Sequence, residues 1–200
     1  MKILILNTAE HTGGAAVATN RLLRALLRSG VSATMLVRDR ATDDPAVVSL
    51  DRGAVRRWLN FLCFVWERLV IYLCNRLSKR NLFQVSIANM GINVRRTAAF
   101  READVIHIHW INQGFLSLEE IARIIASGKR VVWTLHDLWP ATAICHYPGD
   151  CVKYRTGCSA CPMMSENPLV DLAKRVARRK GKIDWRRVTF GGCREWIARR

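Results

Sequence analysis

Two histidines alternate in the run DVIHIHWINQGF, residues 104–115, and a third stands in TLHD, residues 134–137. His107 and His109 are two positions apart, so in an extended backbone they share one face. His109, Trp110 and Asn112 fall at the carboxyl end of that stretch, and His136 with Asp137 at the carboxyl end of the other. Neutral imidazole donates a hydrogen bond to a sugar hydroxyl or a phosphate, or takes a proton near pH 7. A lone histidine reads as a satisfied structural residue. Two strands delivering histidine to one rim point to a polar pocket.

Four cysteines follow within seventeen residues: Cys145, Cys151, Cys158 and Cys161. Four thiolates in a short loop complete a tetrahedral zinc site, and the last pair has the C-x2-C spacing that such sites favour. The first pair is set wider. Two disulfides and four free thiols stay open beside zinc, with a reducing compartment favouring the metal. A closed four-cysteine site would be structural, with no open position for catalysis. Cys63 and Cys74 read as helix packing residues.

The third chemical feature is Gly13-Gly14 in NTAEHTGGAA, residues 7–16. Glycines allow close backbone approach, and free N–H groups at a helix start favour an anion. A plain tight turn explains such a pair equally well. A dinucleotide fingerprint needs G-x-G-x-x-G tight against its strand. Here NTAEHT intervenes and no third glycine follows, so a nicotinamide-dependent oxidoreductase is disfavoured, although Asp39 stands where a ribose-binding acid would.

The elements that must carry these residues follow a β-loop-α-β rhythm. Residues 3–6 and 33–37 are short apolar runs, as in strands buried on both faces. Between them residues 15–29 form an amphipathic helix stopped by Gly30. Strands at 104–109 and 130–135 flank a helix over 117–127; a helix at 168–180 and a strand at 187–190 come next, and residues 193–200 read as the start of a helix. The pattern predicts an α/β, Rossmann-like three-layer sandwich with a mostly parallel sheet. In such sheets ligands gather at the carboxyl ends of the strands, where the loaded loops lie.

The chain has 200 residues and carries 32 Lys+Arg against 16 Asp+Glu, a net charge of +16. That surface attracts phosphate, whether of nucleic acid, lipid head groups or nucleotide-linked substrates. The opening MKILILN has too short an apolar run for a secretory signal, which places the chain in the cytoplasm. Residues 56–80 hold a long apolar helix. Residues 58–77 have the length of a membrane span, but Glu67 and Arg68 sit at its middle, each costing about 2.5–3.5 kcal/mol on insertion scales. Leu59, Leu62, Trp66, Leu69, Val70 and Leu73 make one stripe, so a helix lying at the interface is expected over a span, with Trp58 and Tyr72 as anchors. A core helix packed on the sheet has the same periodicity.

Taken together, N-x5-GG-A, D-V-I-H-I-H-W-I-N-x-G-F-L-S, V-W-T-L-H-D-x-W-P-x-T and the C-H-Y…C…Y…C-x-x-C-P loop resemble the N-terminal domain of bacterial family 4 glycosyltransferases, in the branch of colanic acid biosynthesis. The resemblance implies one half of a GT-B fold. It also implies retaining, hexosyl-type transfer from a nucleotide-sugar donor to a lipid-linked or growing glycan in cell-surface polysaccharide synthesis, with no catalytic metal. On that likeness His136 sits beside the reacting sugar. Gly13 and Gly14 line the cleft, His109 and Asn112 stand on the acceptor rim, and Asp137 joins the substrate-binding set. Residues 1–200 would be the acceptor-side domain, with 56–80 a helical insertion and 138–166 a cysteine-rich loop. The donor-binding domain and its E-x7-E element have no counterpart in the sequence, so the chain is expected to be truncated and inactive alone. An anionic inner-membrane surface is the expected partner and peripheral attachment the expected location, with no nucleic acid. The alternative is a non-enzymatic, zinc-braced, arginine-rich nucleic-acid-binding module, against which the aromatics do not interleave with basic residues.

Overall fold

The computed structural model describes residues 1–50, 53–193 and 197. Among them six strands form one sheet: β1 (Lys2–Ala9), β2 (Ser32–Asp39), β3 (Val47–Ser49), β4 (Val105–Ile108), β5 (Arg130–Leu135) and β6 (Val188–Gly192). Their order is β3-β2-β1-β4-β5-β6, and every pairing is parallel. This is the doubly wound α/β arrangement, with its reversal of strand order between β1 and β4. The expected Rossmann-like class holds.

Alternation along β1 builds the two faces. Ile5 joins Met35 and Val37 of β2, Val47 of β3 and Leu23 of α1 (Gly14–Arg28) in the smaller core. Leu4 and Leu6 point the other way, into a larger core. That core takes in Ile71 of α2 (Ala54–Cys74), Phe100 of α3 (Ala98–Glu102), Ile121 and Ile124 of α4 (Leu118–Ile125) and Val176 of α5 (Leu172–Lys180). Local chemistry sets the helix starts. The Ser117 hydroxyl accepts from the Glu120 N–H at 3.1 Å, and Asp171 Oδ1 accepts from Lys174 N at 2.9 Å. Each cap satisfies an otherwise orphaned donor.

Several boundaries differ from those expected. The first strand does not stop at Leu6 but runs through Ala9, because Asn7 and Thr8, though polar, are bonded. Asn7 Oδ1 accepts from Trp110 N at 3.0 Å, and Thr8 N donates to Trp110 O at 2.8 Å. The helix expected from residue 168 begins at Leu172, where Asp171 supplies the cap. β3 and α3 are too short to leave a periodic trace. The helix expected over 193–200 lies, apart from Cys193 and Ile197, outside the described residues.

α2 turns its charges inward. Glu67 is fully buried and Arg68 nearly so, and their side chains meet at 2.8 Å as an ion contact rather than an aligned hydrogen bond. Glu67 Oε1 accepts from the backbone N–H of Ile87 and of Ala88, both at 2.8 Å. Arg68 donates to the carbonyls of Leu82 and Val85. The pair thus clamps residues 82–88 beneath the helix. The outward face is apolar instead: Trp58, Leu59, Trp66 and Leu73 are all exposed. Of the stripe expected at an interface, Val70 alone is half-buried; Tyr72, expected as an anchor, is half-buried too. Gly114, at φ +80°, lets the turn after β4 close on this helix; a Cβ there would meet Phe64 N at 2.6 Å.

Removing one member of a buried, hydrogen-bonded ion pair leaves the other charge uncompensated. Glu67→Ala is therefore expected to cost about 3–5 kcal/mol of unfolding free energy. Urea denaturation measures it; a loss below about 1 kcal/mol, the worth of a surface pair, would mean that Glu67 does not hold this segment.

Candidate functional site

A cleft of about 850 Å³ opens at the carboxyl ends of β1, β4 and β5. Asn7 and Thr8 of β1, Gly13 and Gly14 before and in α1, Trp110 after β4, and His136 after β5 all border it. This is the switch point at which open α/β sheets bind ligands. The glycine turn is shaped for close approach. Gly13 caps α1 at φ +89°, and neither glycine has an atom within 4 Å of where a Cβ would stand.

The histidines form a ladder across two strands. His107 Nε2 and Thr134 Oγ1 are 2.8 Å apart, the rings of His107 and His109 lie 4.4 Å apart, and His109 Nδ1 meets His136 Nε2 at 2.9 Å. The parallel register sets His107 of β4 opposite Val132 of β5, so the strand ends arrive side by side. Burial pushes His107 down to about 4, with His136 adding to the effect. Burial, then His107 and His136, push His109 down to about 2. His136 is also lowered by burial, against the pull of Asp137. All three imidazoles are therefore neutral at pH 7.

Neutrality fixes what the pair can do. His109 Nε2 is buried without a protein partner. An orphaned acceptor is tolerated better than an orphaned N–H, so the favoured tautomer has His109 Nδ1–H donating to His136 Nε2. That leaves Nδ1–H on His136, the histidine that borders the cleft, as a donor for a hydroxyl or phosphate oxygen. His109 itself is only 4% exposed and lies behind His136 rather than on the rim. Asn112 is likewise buried, its carbonyl accepting from Thr8 Oγ1 at 3.1 Å. The rim position belongs to its neighbour Gln113, at φ +59°.

Asp137 is a hub. Oδ2 accepts from His146 Nδ1 at 2.7 Å and Trp110 Nε1 at 2.9 Å, and Oδ1 accepts from Trp139 N at 2.9 Å. Burial opposes its ionisation, but His146 and these donors outweigh that and hold the carboxyl below the usual range. Its oxygens are occupied by protein donors, so it braces the wall that holds His146. His146 Nε2 in turn lies 3.1 Å from Ser86 Oγ, an order of groups like a hydrolase triad. Ser86 is completely buried, so no substrate reaches it and the trio is structural. His146 and Tyr147, both bordering the cleft, were legible only as part of the C-H-Y loop; the Tyr147 hydroxyl donates to the His136 carbonyl at 3.2 Å.

The four loop cysteines border one small cavity, and none is paired in a disulfide. Among the described residues no three His, Cys, Asp or Glu side chains are placed to hold a metal ion. Cys161 donates its S–H to Cys145. That hydrogen bond holds the Cys145 thiol below the ordinary range and raises Cys161. Lys180, the buried last residue of α5, closes the back of the loop by donating to the carbonyls of Trp139 and Thr142.

The depressed histidines make a signed prediction. The folded pKa of His107, about 4, lies below its unfolded value of 6.5. Above that window both states are neutral. On acidification through it the unfolded chain takes up a proton that the folded chain refuses, so stability falls. The slope reaches about 1.4 kcal/mol per pH unit for each such histidine. Asp137, depressed from 3.8, loses its contribution only below that. Urea unfolding at about pH 7.5 and about pH 5 should show the decline, with a shallower slope in His107→Gln; equal slopes would place the proton uptake elsewhere.

Residues 12–179 match the model of Glycosyltransferase Family 4. Over 126 residues the chain is 30% identical to the colanic acid biosynthesis glycosyl transferase WcaC of Escherichia coli (strain K12), a stretch that makes up 59% of this chain and 30% of that protein. The chain thus spans about a third of the length of the curated relative it matches. No solved structure matches. The family match contains the glycine turn, both histidine-bearing strand ends and the cysteine loop, and this chain belongs to glycosyltransferase family 4.

Proposed function

We propose that the cleft is the acceptor side of a glycosyltransferase active site. A sugar passes there from a nucleotide-sugar donor to a lipid-linked or growing glycan in cell-surface polysaccharide synthesis, with retention at the anomeric carbon. The observation that carries the reading is the His109–His136 contact at the mouth of the β1–β4 switch point, opposite the Gly13-Gly14 turn. A sugar acceptor is neutral and rich in hydroxyls. An uncharged imidazole donor held by a second imidazole suits it, because its orientation is set before the substrate arrives. The start of α1, with bare glycines and free N–H groups, suits a phosphate of donor or acceptor.

A GT-B enzyme needs groups from two facing domains to stabilise its transition state, and the donor-binding half belongs to this proposal as the second jaw. No metal step is assigned; the cysteine loop serves as a wall.

In a protein joining this domain to a donor-binding domain, His136→Ala is expected to lower kcat/KM by about 10²-fold, the loss typical of a misplaced reacting group. His136 is half-buried, so circular dichroism should show the fold retained. Transfer of labelled sugar from nucleotide-sugar donors to lipid-linked acceptors measures it. Wild-type turnover in the variant would remove His136 from the site.

A further inference from the structure

A second pocket opens next to the cleft, at the carboxyl ends of β2 and β3 and beside the N-terminal half of α2. Its volume is about 630 Å³, well within the span of small-molecule sites. Arg38, Arg40 and Arg57 line it together with one carboxylate, Asp39, and the rings of Phe61 and Phe64.

Charge is not balanced there. Arg38 takes up Asp39 with both sides of its fork: Nε donates to Oδ1 at 2.8 Å and Nη2 to Oδ2 at 2.6 Å. The same guanidinium donates to the Gln113 carbonyl and sits 5.9 Å from the Phe64 ring centre, which fixes it as part of the wall. Arg40 donates to a backbone carbonyl, that of Asp44, at 3.0 Å, while the Asp44 carboxylate is paired with Arg24. Among the described residues neither Arg40 nor Arg57 has a carboxylate partner. Two cations therefore line a concave space beside two aromatic rings.

That combination selects a ligand. A guanidinium presents paired N–H groups to a carboxylate or a phosphate. Phe61, 54% exposed, offers an apolar surface to the C–H face of a sugar ring. A neutral sugar would use the rings and leave the cations unmatched. A bare inorganic anion would do the reverse. An acidic sugar uses both. Asp39 and Gln113 border this pocket and the histidine cleft alike, so the two spaces adjoin. We infer that the pocket is a subsite for an acidic sugar of the acceptor glycan, whose carboxylate or phosphate meets Arg40 and Arg57 while the neighbouring sugar lies at His136. This subsite rests on the acceptor-side reading of the cleft, and it narrows the acceptor from any glycan to an anionic one.

The test is an NMR titration of the chain with methyl glucuronide, glucose-6-phosphate, methyl glucoside, inorganic phosphate and uridine diphosphate. One of the two acidic sugars is expected to bind about tenfold or more tightly than the neutral glucoside, and to weaken in high salt. Which of them does so distinguishes carboxylate from phosphate. Arg40 and Arg57 are exposed, so Arg40→Ala and Arg57→Ala should keep the fold by circular dichroism and each remove most of that preference. Equal affinity for acidic and neutral sugars overturns the inference, as does the absence of binding by either acidic sugar. So does a preference that persists in the folded double variant. Inorganic phosphate binding as tightly as the acidic sugars would leave an ion site without a sugar. Tighter uridine diphosphate binding, lost in Arg57→Ala, would give the pocket to the donor; both outcomes overturn the subsite. The chain alone supplies every readout, so these failures leave the role of His136 standing, and wild-type turnover in His136→Ala is read separately.

Discussion

The fold around the cleft depends on burying Glu67 and Arg68 together in the middle of α2. Two charges taken out of water are tolerable only if they meet each other and fill their remaining hydrogen-bonding capacity. Here Glu67 Oε1 and Arg68 Nη1 are bonded to the backbone of residues 82–88, a segment without regular secondary structure of its own, while Glu67 Oε2 and Arg68 Nη2 face each other as the ion contact. Once clamped, that segment pairs with the cysteine loop: Ser86 N donates to Ile144 O at 2.8 Å, and His146 N to Gln84 O at 3.2 Å. Val85 and Cys145 form the bridge between them. A charge pair inside a helix thus seats His146, and through it Asp137 and the loop that carries His136.

That chain of contacts explains why the imidazoles of the site stay neutral while the carboxylate of Asp137 is held by protein donors. Asp137 is satisfied by three donors, and the histidine ladder is buried too deeply to protonate at neutral pH. Preformed dipoles cost little reorganisation when a hydroxylated substrate replaces water, and they do not repel a second ligand of either sign. Positive charge is kept to the side, on the arginines of the neighbouring pocket, where a phosphate can be met without protonating the imidazoles.

Much of this was legible in the sequence, and the failures have a common cause. The alternation of His107 and His109 and the strand-end position of His136 were enough to bring the imidazoles to one place, because a parallel sheet aligns its carboxyl ends. Depth was not legible. Whether His109 or Gln113 reaches the surface depends on a backbone turn at positive φ, and Gln113 is not a residue type that advertises one. Asn7 and Thr8 read as loop because their partner, Trp110, is about a hundred positions away. The stripe on α2 could be counted, but periodicity gives a face without its direction. Glu67 and Arg68 looked like a penalty against membrane insertion and are instead the bonds that turn the apolar side outward.

The same reversal sets what the protein presents beside the cleft. An ordinary amphipathic helix hides its apolar side and leaves the protein indifferent to lipid. α2 does the opposite, and its position beside the carboxyl ends of β2 and β4 sets the exposed stripe, the arginine pocket and the histidine cleft along one edge of the sheet. The buried charges of α2 thus shape the surroundings of the cleft from a distance. They line neither the cleft nor the arginine pocket, yet they decide which way the helix faces.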